Sequence, residues 1–292
     1  MPHSIQPRKS YIVTAGAHTL FLGTRTYIMG ILNMTPDSFS GDGCLRGSRD
    51  AVKKALRLAQ RFLREGADII DIGGESSRPG SRGVSAKEEM RRVIPVLRAL
   101  ARTINIPISI DTCKPPVARH ALDEGASIVN NIMGTKMEKG FLRMVRQYDA
   151  ALVLMHMRGT PRTMQRDIRY KNVVSEIVDS LRKSIENCLE IGIKSDKIIV
   201  DPGIGFAKTA EHNLEIIYHL RRFAVLRRPV MVGVSRKSFI GKVLEKDVSR
   251  RLYGSLAGAC AGILNGAHII RAHDVGPTKE AAVMIDAILR GR

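Results

Sequence analysis

The stretch GADIIDIGGESSRPG, residues 66–80, shows the pattern from which the fold of this chain follows. Its short apolar run is rich in isoleucine and predicts a buried strand over residues 68–72, and the glycine- and serine-rich segment behind it predicts a loop. Residues 85–103 then repeat apolar side chains with the 3.6-residue period of an amphipathic helix. The stretch therefore predicts one strand–loop–helix unit.

The same unit recurs along the chain from residue 27 to the end. The predicted strands cover residues 27–32, 68–72, 107–111, 127–130, 151–156, 197–201, 230–234 and 268–271. The predicted helices cover residues 48–65, 85–103, 115–124, 138–147, 170–191, 210–222, 249–264 and 276–290. Alternating strands and helices indicate a parallel sheet, because neighbouring parallel strands need a crossover connection.

Such a sheet either stays open and doubly wound or closes into a barrel. Eight units in about 265 residues is the typical size of a (β/α)8 barrel, which we therefore predict as the α/β fold of this chain. Residues 10–24 read as a hairpin that closes the bottom of the barrel. The sequence has no Pro-, Gly- or Ser-rich linker, so residues 1–292 are predicted to form a single domain, with residues 1–10 flexible.

The chain is strongly basic, with 47 Lys and Arg against 28 Asp and Glu and a formal net charge of +19. An excess of this size is found in proteins that bind nucleic acids. Here the cations are scattered over the predicted helices, which favours a solvated surface over a polyanion-binding face. Nucleic acid is thus not the expected partner.

The four cysteines are Cys44, Cys113, Cys188 and Cys260, and no two of them have a metal-binding spacing. They are expected to be reduced and mainly structural. The N-terminal segment lacks the apolar core of a signal peptide, and no stretch reaches the length that spans a membrane. These features predict a cytoplasmic protein.

Polar residues concentrate at the predicted carboxyl ends of the strands. In a barrel these ends form one ring, which is where barrel enzymes bind small molecules. Buried acceptors and donors such as Asp111, Asn130 and Asp201 suit a flat heterocycle with amide and amino edges. Cations beside glycine-rich loops suit an anionic leaving group, and Asn33 with nearby carboxylates suits Mg²⁺. The pattern predicts a small-molecule site at this face.

The loops at these strand ends resemble those of the dihydropteroate synthase family. The matching motifs are MGILNMTPDSFS (29–40), DIIDIGGESSRPG (68–80), SIDTCKP (109–115), LMHMRGTPRTMQ (154–165), DPGIGFAKT (201–209), GVSRKSFIG (233–241) and AHIIRAHDV (267–275). Each motif is weak alone, but seven in order, each at a strand end, are highly specific. The similarity runs from about residue 11 to the C-terminus.

The resemblance implies a transferase of folate biosynthesis. It joins 6-hydroxymethyl-7,8-dihydropterin pyrophosphate to p-aminobenzoate and releases 7,8-dihydropteroate and pyrophosphate. The residues implied for the pterin are Asp111, Asn130, Met155, Asp201, Lys237 and Arg271. Those implied for p-aminobenzoate are Phe39, Ser77, Arg78, Pro79, Phe206, Ser235 and Lys237. Those implied for pyrophosphate are Asn33, Arg78, Arg271 and His273.

Catalysis is assigned by the same resemblance to Lys237, Arg271, Asp111 and Arg78. Three cationic side chains, Arg271, Arg78 and His273, are expected to neutralise the departing pyrophosphate. A Mg²⁺ ion held by Asn33 is expected to add to this neutralisation. The loops after the first two strands are expected to close over the site, with glycines in 41–43 and 73–74 as hinges. The resemblance also implies a homodimer and a target of sulfonamides.

The sequence departs from the family pattern at a few positions. Asp42 is displaced by one position in the first loop, and Asn131 stands where the family has Asp beside the pterin. Ala207 replaces a usual Gly, which matters if that residue needs a positive φ. Ser77 replaces Thr and keeps the hydroxyl. His156, behind Met155, is expected to be a packing residue.

Three alternatives stay open at this level. A methyltetrahydrofolate methyltransferase-like enzyme keeps the barrel and the pterin, although the second-loop and RxHD motifs favour pyrophosphate chemistry. A non-catalytic pterin-binding relative is suggested by Asn131 and the displaced Asp42. A nucleic-acid-binding protein is suggested only by the net charge, and it leaves the ring of polar residues unexplained.

Overall fold

A computed structural model describes residues 8–35, 49–76, 81, 83–134, 137–160, 162–165 and 168–291 of the chain. Its strands are β1 (Tyr11–Ala15), β2 (His18–Leu22), β3 (Tyr27–Asn33), β4 (Ile69–Gly73), β5 (Ile108–Asp111), β6 (Ile128–Asn131), β7 (Ala151–Met155), β8 (Ile198–Asp201), β9 (Met231–Val232) and β10 (Ile269–Ala272). Its helices are α1 (Arg49–Arg64), α2 (Ala86–Ala101), α3 (Pro115–Asp123), α4 (Lys139–Gln147), α5 (Val173–Glu190), α6 (Ala210–Tyr218), α7 (Ser238–Leu244), α8 (Leu252–Leu264) and α9 (Val275–Arg290). Within these ranges, no helix combines the length and the apolar character that a membrane crossing requires.

Strands β3 to β10 form a closed parallel barrel. Their hydrogen-bonded order is β8-β7-β6-β5-β4-β3-β10-β9, with every neighbouring pair parallel. The last gap is closed by a single parallel bridge between Val200 of β8 and Val230 beside β9. There the Val200 amide donates to the Pro229 carbonyl at 3.0 Å. The predicted (β/α)8 barrel is confirmed.

The hairpin of β1 and β2 closes the bottom of this barrel, as the sequence predicts. One of its faces is apolar and buried, and it packs with the side chains that point inward from the first residues of the barrel strands. That inner cluster contains Val13, Ala15, Leu20, Leu22, Tyr27, Met29, Ile69, Ile128, Ala151, Val153, Ile199, Met231 and Ile269. A larger second cluster fills the space between the strands and the surrounding helices.

The segment before the hairpin is also anchored to the barrel. Arg8 donates to the Thr26 hydroxyl at 2.7 Å and to the Ala267 carbonyl at 2.8 Å, and it forms an ion pair with Asp286. Only 5% of the Arg8 side-chain surface is exposed. These contacts hold Arg8 against the barrel. The flexibility predicted for residues 1–10 stays a prediction, and residues 1–7 lie outside the described ranges.

Side-chain caps mark the starts of three helices. The Ser85 side chain accepts the Glu88 amide at the start of α2, and Asn172 does the same for Ser175 at the start of α5. Thr209 and His212 form a reciprocal capping box at the start of α6. These caps satisfy amides that would otherwise lack a partner at a helix start. Helix α7 is not among the helices that the sequence predicts, and it lies between the β9 loop and α8.

Candidate active site

The polar strand ends meet in one cavity of about 540 Å³. All of the predicted site residues that fall within the described ranges line it: Asn33, Asp111, Asn130, Met155, Asp201, Phe206, Ser235, Lys237, Arg271 and His273. They come from the ends of β3, β5, β6, β7, β8 and β10 and from the loops behind β8, β9 and β10. The register of the parallel sheet brings residues that are far apart in sequence to the same mouth.

Four predicted site residues lie outside the described ranges, namely Phe39, Ser77, Arg78 and Pro79. The displaced Asp42 and the glycines of 41–43 also lie outside them. Of the predicted hinge residues, Gly73 and Gly74 are described. Gly73 ends β4, and Gly74 packs against α2, where an added Cβ would lie 2.7 Å from a Val93 methyl group.

Arg271 joins two carboxylates at the base of the cavity. Its Nε donates to Asp71 Oδ2 at 2.6 Å, and its Nη2 donates to Asp111 Oδ2 at 2.7 Å. The same oxygen of Asp71 accepts from the Asn130 amide at 3.1 Å. The Asp71 side chain is completely buried. The sequence analysis missed Asp71, although a carboxylate inside a strand that is otherwise apolar was a signal for it.

These contacts set the charge state of Asp111. Burial raises the pKa of Asp111 to about 7, because water is removed from the ionised carboxylate; Arg271 opposes the rise and Asp71 adds to it. Burial lowers the pKa of the Arg271 guanidinium, but the neighbouring Asp71 and Asp111 raise it by more, so the net pKa lies above its usual value. Arg271 is therefore a fixed cation, whereas Asp111 gains and loses a proton near neutral pH.

Asp201 and Lys237 form the other charged side of the cavity. Burial raises the pKa of Asp201, against the hydrogen bond that its Oδ1 accepts from the Gly203 amide at 2.7 Å. Burial and the nearby Arg271 lower the pKa of Lys237 to about 8. The Lys237 ammonium lies 4.1 Å from the centroid of the Phe206 ring, close enough for a cation–π contact. A flat polar ligand would thus meet donors, acceptors and an aromatic ring in one pocket.

Comparisons with known proteins agree with this geometry. The model of the pterin binding enzyme family matches residues 29–273. A dihydropteroate synthase of Synechocystis sp. is 45% identical over 274 residues, which cover 93% of this chain and 93% of the relative. That of Escherichia coli is 43% identical over 266 residues, covering 91% and 93%. The chain belongs to the dihydropteroate synthase family.

Solved structures of dihydropteroate synthases have the same fold. That of Yersinia pestis with a sulfonamide drug complex is similar with a TM-score of 0.89 and 40% identity, and the match covers 96% of this chain and all of that one (100%). That of Xanthomonas albilineans with 4-aminobenzoic acid gives 0.87 and 37%, covering 96% and 98%. The predicted dihydropteroate synthase function and enzyme class are confirmed. The family membership also decides against the methyltransferase-like alternative.

His273, expected as a cation for the leaving group of a dihydropteroate synthase, is held neutral here. Burial and the neighbouring Arg271 lower the pKa of His273 to about 3. Its Nδ1 lies 3.0 Å from the Ser235 hydroxyl oxygen, and its backbone amide donates to the same oxygen at 3.2 Å. The Ser235 hydroxyl, expected in the aminobenzoate site, is thus engaged with His273.

A buried lysine that the sequence analysis missed lies behind the synthase cavity. Lys208 donates to the Phe206 carbonyl at 2.8 Å, and its ammonium lies 3.2 Å from His156 Nδ1. Burial lowers the pKa of Lys208 to about 7 and that of His156 to about 2. His156 is therefore more than a packing residue, because it accepts from Lys208 and joins the loops behind β7 and β8.

The structure shows the local consequence of two departures from the synthase pattern. Ala207 adopts a φ of +52°, so the Gly usual at this position would relieve a left-handed backbone. Asn131 is buried and does not line the cavity, and its Oδ1 accepts from the Met133 amide at 2.7 Å. The exchange of Asp for Asn at that position therefore leaves the described wall of the cavity unchanged.

Proposed function

We propose that the cavity described above is where this chain condenses 6-hydroxymethyl-7,8-dihydropterin pyrophosphate with p-aminobenzoate. The amine nitrogen forms a bond to the pterin methylene carbon while the bond from that carbon to the pyrophosphate oxygen breaks. The amine loses a proton, and dihydropteroate and pyrophosphate leave. The observation that carries this assignment is the meeting of Asp111, Asp201, Lys237 and Arg271 in one buried pocket.

The pterin is assigned to the inner part of the pocket. Asp111 and Asp201 accept from its amino and ring NH groups, and Asn130 and Lys237 supply donors. Arg271 stacks on the face of the ring, with Met155 as the apolar neighbour. Support comes from the burial of both carboxylates, since acceptors that are shielded from water discriminate strongly for a ligand that satisfies them.

The cation that develops on the pterin as pyrophosphate departs needs electrostatic balance. Arg271 and Arg78 oppose the charge on the departing oxygens, and the ionised carboxylate of Asp111 opposes the charge on the ring. Lys237, beside the Phe206 ring, meets both substrates. We assign p-aminobenzoate to the outer part of the pocket, against Phe206 and Lys237, with Phe39, Ser77, Arg78 and Pro79 as its further contacts.

Asn33 suits a magnesium ion that is shared with the substrate. Two side-chain oxygens, Asn33 Oδ1 and Asp111 Oδ2, flank Gly73 at the cavity. A Cβ atom built on this glycine would lie 3.6 Å from the first and 3.8 Å from the second. Over the described ranges no group of three or more His, Cys, Asp and Glu side chains forms a metal site. Mg²⁺ typically takes one or two protein oxygens and completes its shell with phosphate and water. When bound, it would neutralise the charge of the pyrophosphate.

A homodimer is supported by exposed apolar side chains on the last helices. Helices α6, α7, α8 and α9 pack on one another and carry exposed apolar side chains, including Leu214, Val243, Tyr253, Val283 and Met284. Tyr253 is 77% exposed. Analytical ultracentrifugation should find a dimer for the natural chain and a monomer for Tyr253→Arg.

Free thiols at Cys113, Cys188 and Cys260 support a reducing, cytoplasmic location.

Pterin binding by Asp111 variants tests the assignment. In calorimetry with the pterin pyrophosphate, Asp111→Ala should abolish detectable binding, because the acceptor of a buried NH edge is lost. Lys237→Ala should weaken binding of both substrates. Asp123→Ala, at the end of α3 and away from the cavity, is the control. Normal pterin binding by Asp111→Ala would show that the pterin lies elsewhere.

A further inference from the structure

Ser235 and His273 form a closed pair of hydrogen bonds between the loops behind β9 and β10. The backbone amide of His273 donates to Ser235 Oγ at 3.2 Å. The same oxygen lies 3.0 Å from Nδ1 of the His273 ring. Ser235 is 8% exposed and lines the wall of the cavity.

This pair determines which nitrogen of the imidazole carries the proton. Since Oγ accepts from the amide, its own proton is free to donate to Nδ1, which must then be unprotonated. If Nδ1 carried the proton instead, the Ser235 proton would have no acceptor among the described residues. A donor that is left without a partner is destabilising. The geometry therefore favours the tautomer that carries its proton on Nε2.

The protonated form of His273 is disfavoured by its surroundings. Burial opposes a charged ring, and Arg271, Arg236 and Lys237 add like charge around it. Asp274 acts in the opposite direction, but its carboxylate is paired with Arg236 at 2.6 Å. A ring that is neutral and accepts at Nδ1 presents Nε2–H as a donor. Nε2 has no partner within the described part of the chain, and the ring lines the cavity.

We propose that Ser235 is a positioning residue that fixes His273 as the neutral Nε2–H tautomer, so that His273 donates a hydrogen bond to the departing pyrophosphate. This inference rests on the proposed function of the cavity. It moves Ser235 from the aminobenzoate site to the leaving-group side. No proton is transferred: as the carbon–oxygen bond breaks, the oxygen gains charge and the existing hydrogen bond strengthens.

The tautomer can be read directly by NMR. In the full chain labelled with ¹⁵N-histidine, long-range ¹H–¹⁵N spectra distinguish the two tautomers and the imidazolium, and His273→Gln identifies the signals of His273. His268 is an internal reference, since its Nδ1 accepts from the Val230 amide at 3.1 Å and its Nε2 lies 3.0 Å from the Lys9 carbonyl. We expect the Nε2–H pattern for both rings at pH 7. An Nδ1–H or doubly protonated His273 would overturn the proposal.

Variants of Ser235 link the tautomer to turnover. Ser235→Ala should give a mixture of His273 tautomers and lower kcat by about 10- to 100-fold, with KM for p-aminobenzoate within about twofold, because the loss falls on a transition-state donor. Ser235→Thr keeps the hydroxyl and should restore both the tautomer and kcat. The His268 signals should not change in either variant, which shows that the fold is intact.

The reach of the side chain at position 273 gives an independent check. Gln places an amide nitrogen near the position of Nε2, whereas Asn places it near Nδ1, so His273→Gln should be at least about 10-fold more active than His273→Asn.

If Ser235→Ala raised only KM for p-aminobenzoate and left the His273 tautomer unchanged, Ser235 would belong to the amine site. An Nε2–H ring in a wild-type chain that releases no pyrophosphate would instead refute the proposed function.

Discussion

A single oxygen of Asp71 orders two side chains at the base of the cavity. Asp71 Oδ2 accepts from Arg271 at 2.6 Å and from Asn130 at 3.1 Å, while its Oδ1 has no partner among the described residues. A buried charge with one unpaired oxygen is costly, and it persists where neighbouring cations compensate for it. Asp71 thus holds Arg271 and Asn130 in the positions that the proposed pterin contacts require.

Removing this charge should change the pH dependence of the enzyme. Because Asp71 raises the pKa of Asp111, Asp71→Asn should lower that pKa, and Asp111 should stay ionised at lower pH. We expect the acid limb of kcat/KM for the pterin pyrophosphate to move to lower pH, with KM raised about 10-fold by the loosened Arg271. Steady-state kinetics between pH 5 and pH 8 measure both effects.

Asp68→Asn provides the matched control for this experiment. Asp68 precedes β4 on the opposite side of the barrel from the cavity, where it accepts from Arg25 at 2.7 Å and from the Ile28 amide at 2.8 Å. Its loss should reduce stability without moving the pH profile. An acid limb that is identical in Asp71→Asn and the natural chain would disprove the coupling between Asp71 and Asp111.

The backbone at Ala207 gives a second prediction at the scale of one residue. A left-handed φ costs a residue with a Cβ about 1–2 kcal/mol, which exceeds the entropy that Gly loses on folding. Ala207→Gly should therefore raise the free energy of unfolding by up to about 1 kcal/mol. Ala99→Gly inside α2 should lower it by about 1 kcal/mol. Equal destabilisation by both changes in urea unfolding would contradict this interpretation.

The elements of the barrel were largely predictable from periodicity, and α7 was not. Buried runs such as Ile69–Gly73 and Ala151–Met155 are short, apolar and bounded by loop residues, so their sequences identify them. Helix α7 has seven residues, Gly241 within it and only Phe239 and Ile240 buried. A helix so short has almost no period to detect, and its stability comes from packing against its neighbours.

The same distinction applies to the site. Residues at strand ends, such as Asp201 and Arg271, could be predicted because barrel topology brings every strand end to one face. The roles of Asp71 and Lys208 depend on which partners the folded barrel places beside them, and sequence spacing does not specify those partners. The neutral state of His273 follows from burial, which a linear pattern does not reveal.

The hairpin that closes the barrel bottom is a test of the fold at the scale of an element. Leu22 is 1% exposed in the inner cluster, whereas Ile12 on the opposite face of the hairpin is 56% exposed. Leu22→Ala should lower the free energy of unfolding by about 2–5 kcal/mol, since it leaves a cavity in the core. Ile12→Ala should change it by less than about 0.5 kcal/mol. Equal effects in chemical denaturation would show that the hairpin does not pack as described.

Contacts between distant parts of the chain support our proposal that residues 1–292 form one domain. Arg8 near the start of the chain bonds to Ala267 before β10 and to Asp286 of α9. Within the described ranges one sheet contains all eight barrel strands, so its two ends cannot separate without breaking the barrel. Calorimetry should accordingly give a single unfolding transition.

Buried neutral histidines make the whole molecule sensitive to acid. Burial lowers the pKa of His156 to about 2, that of His268 to about 4 and that of His273 to about 3. Unfolding restores the ordinary value of about 6.5, so the unfolded chain binds more protons below that pH. The free energy of unfolding should therefore fall as the pH drops from about 6.5 towards 4, by up to about 1.4 kcal/mol per pH unit for each histidine.

Urea unfolding at several pH values measures this slope, and His268→Gln isolates one contribution. The variant should be less stable at pH 7, because the Val230 amide loses its acceptor, but its stability should fall less steeply with acid. Above pH 7 no histidine contribution to the slope is expected. An unchanged slope in His268→Gln would mean that His268 is already protonated in the folded chain.

The most direct test of the proposed reaction is the release of pyrophosphate by the purified chain, with each component omitted in turn. With the pterin pyrophosphate, p-aminobenzoate and Mg²⁺ together, we expect steady release of pyrophosphate and equal formation of dihydropteroate. Omission of any one of them should abolish release, as should Asp111→Ala in the complete mixture. Failure to release pyrophosphate from the complete mixture while the pterin still binds would contradict the proposed reaction at this cavity.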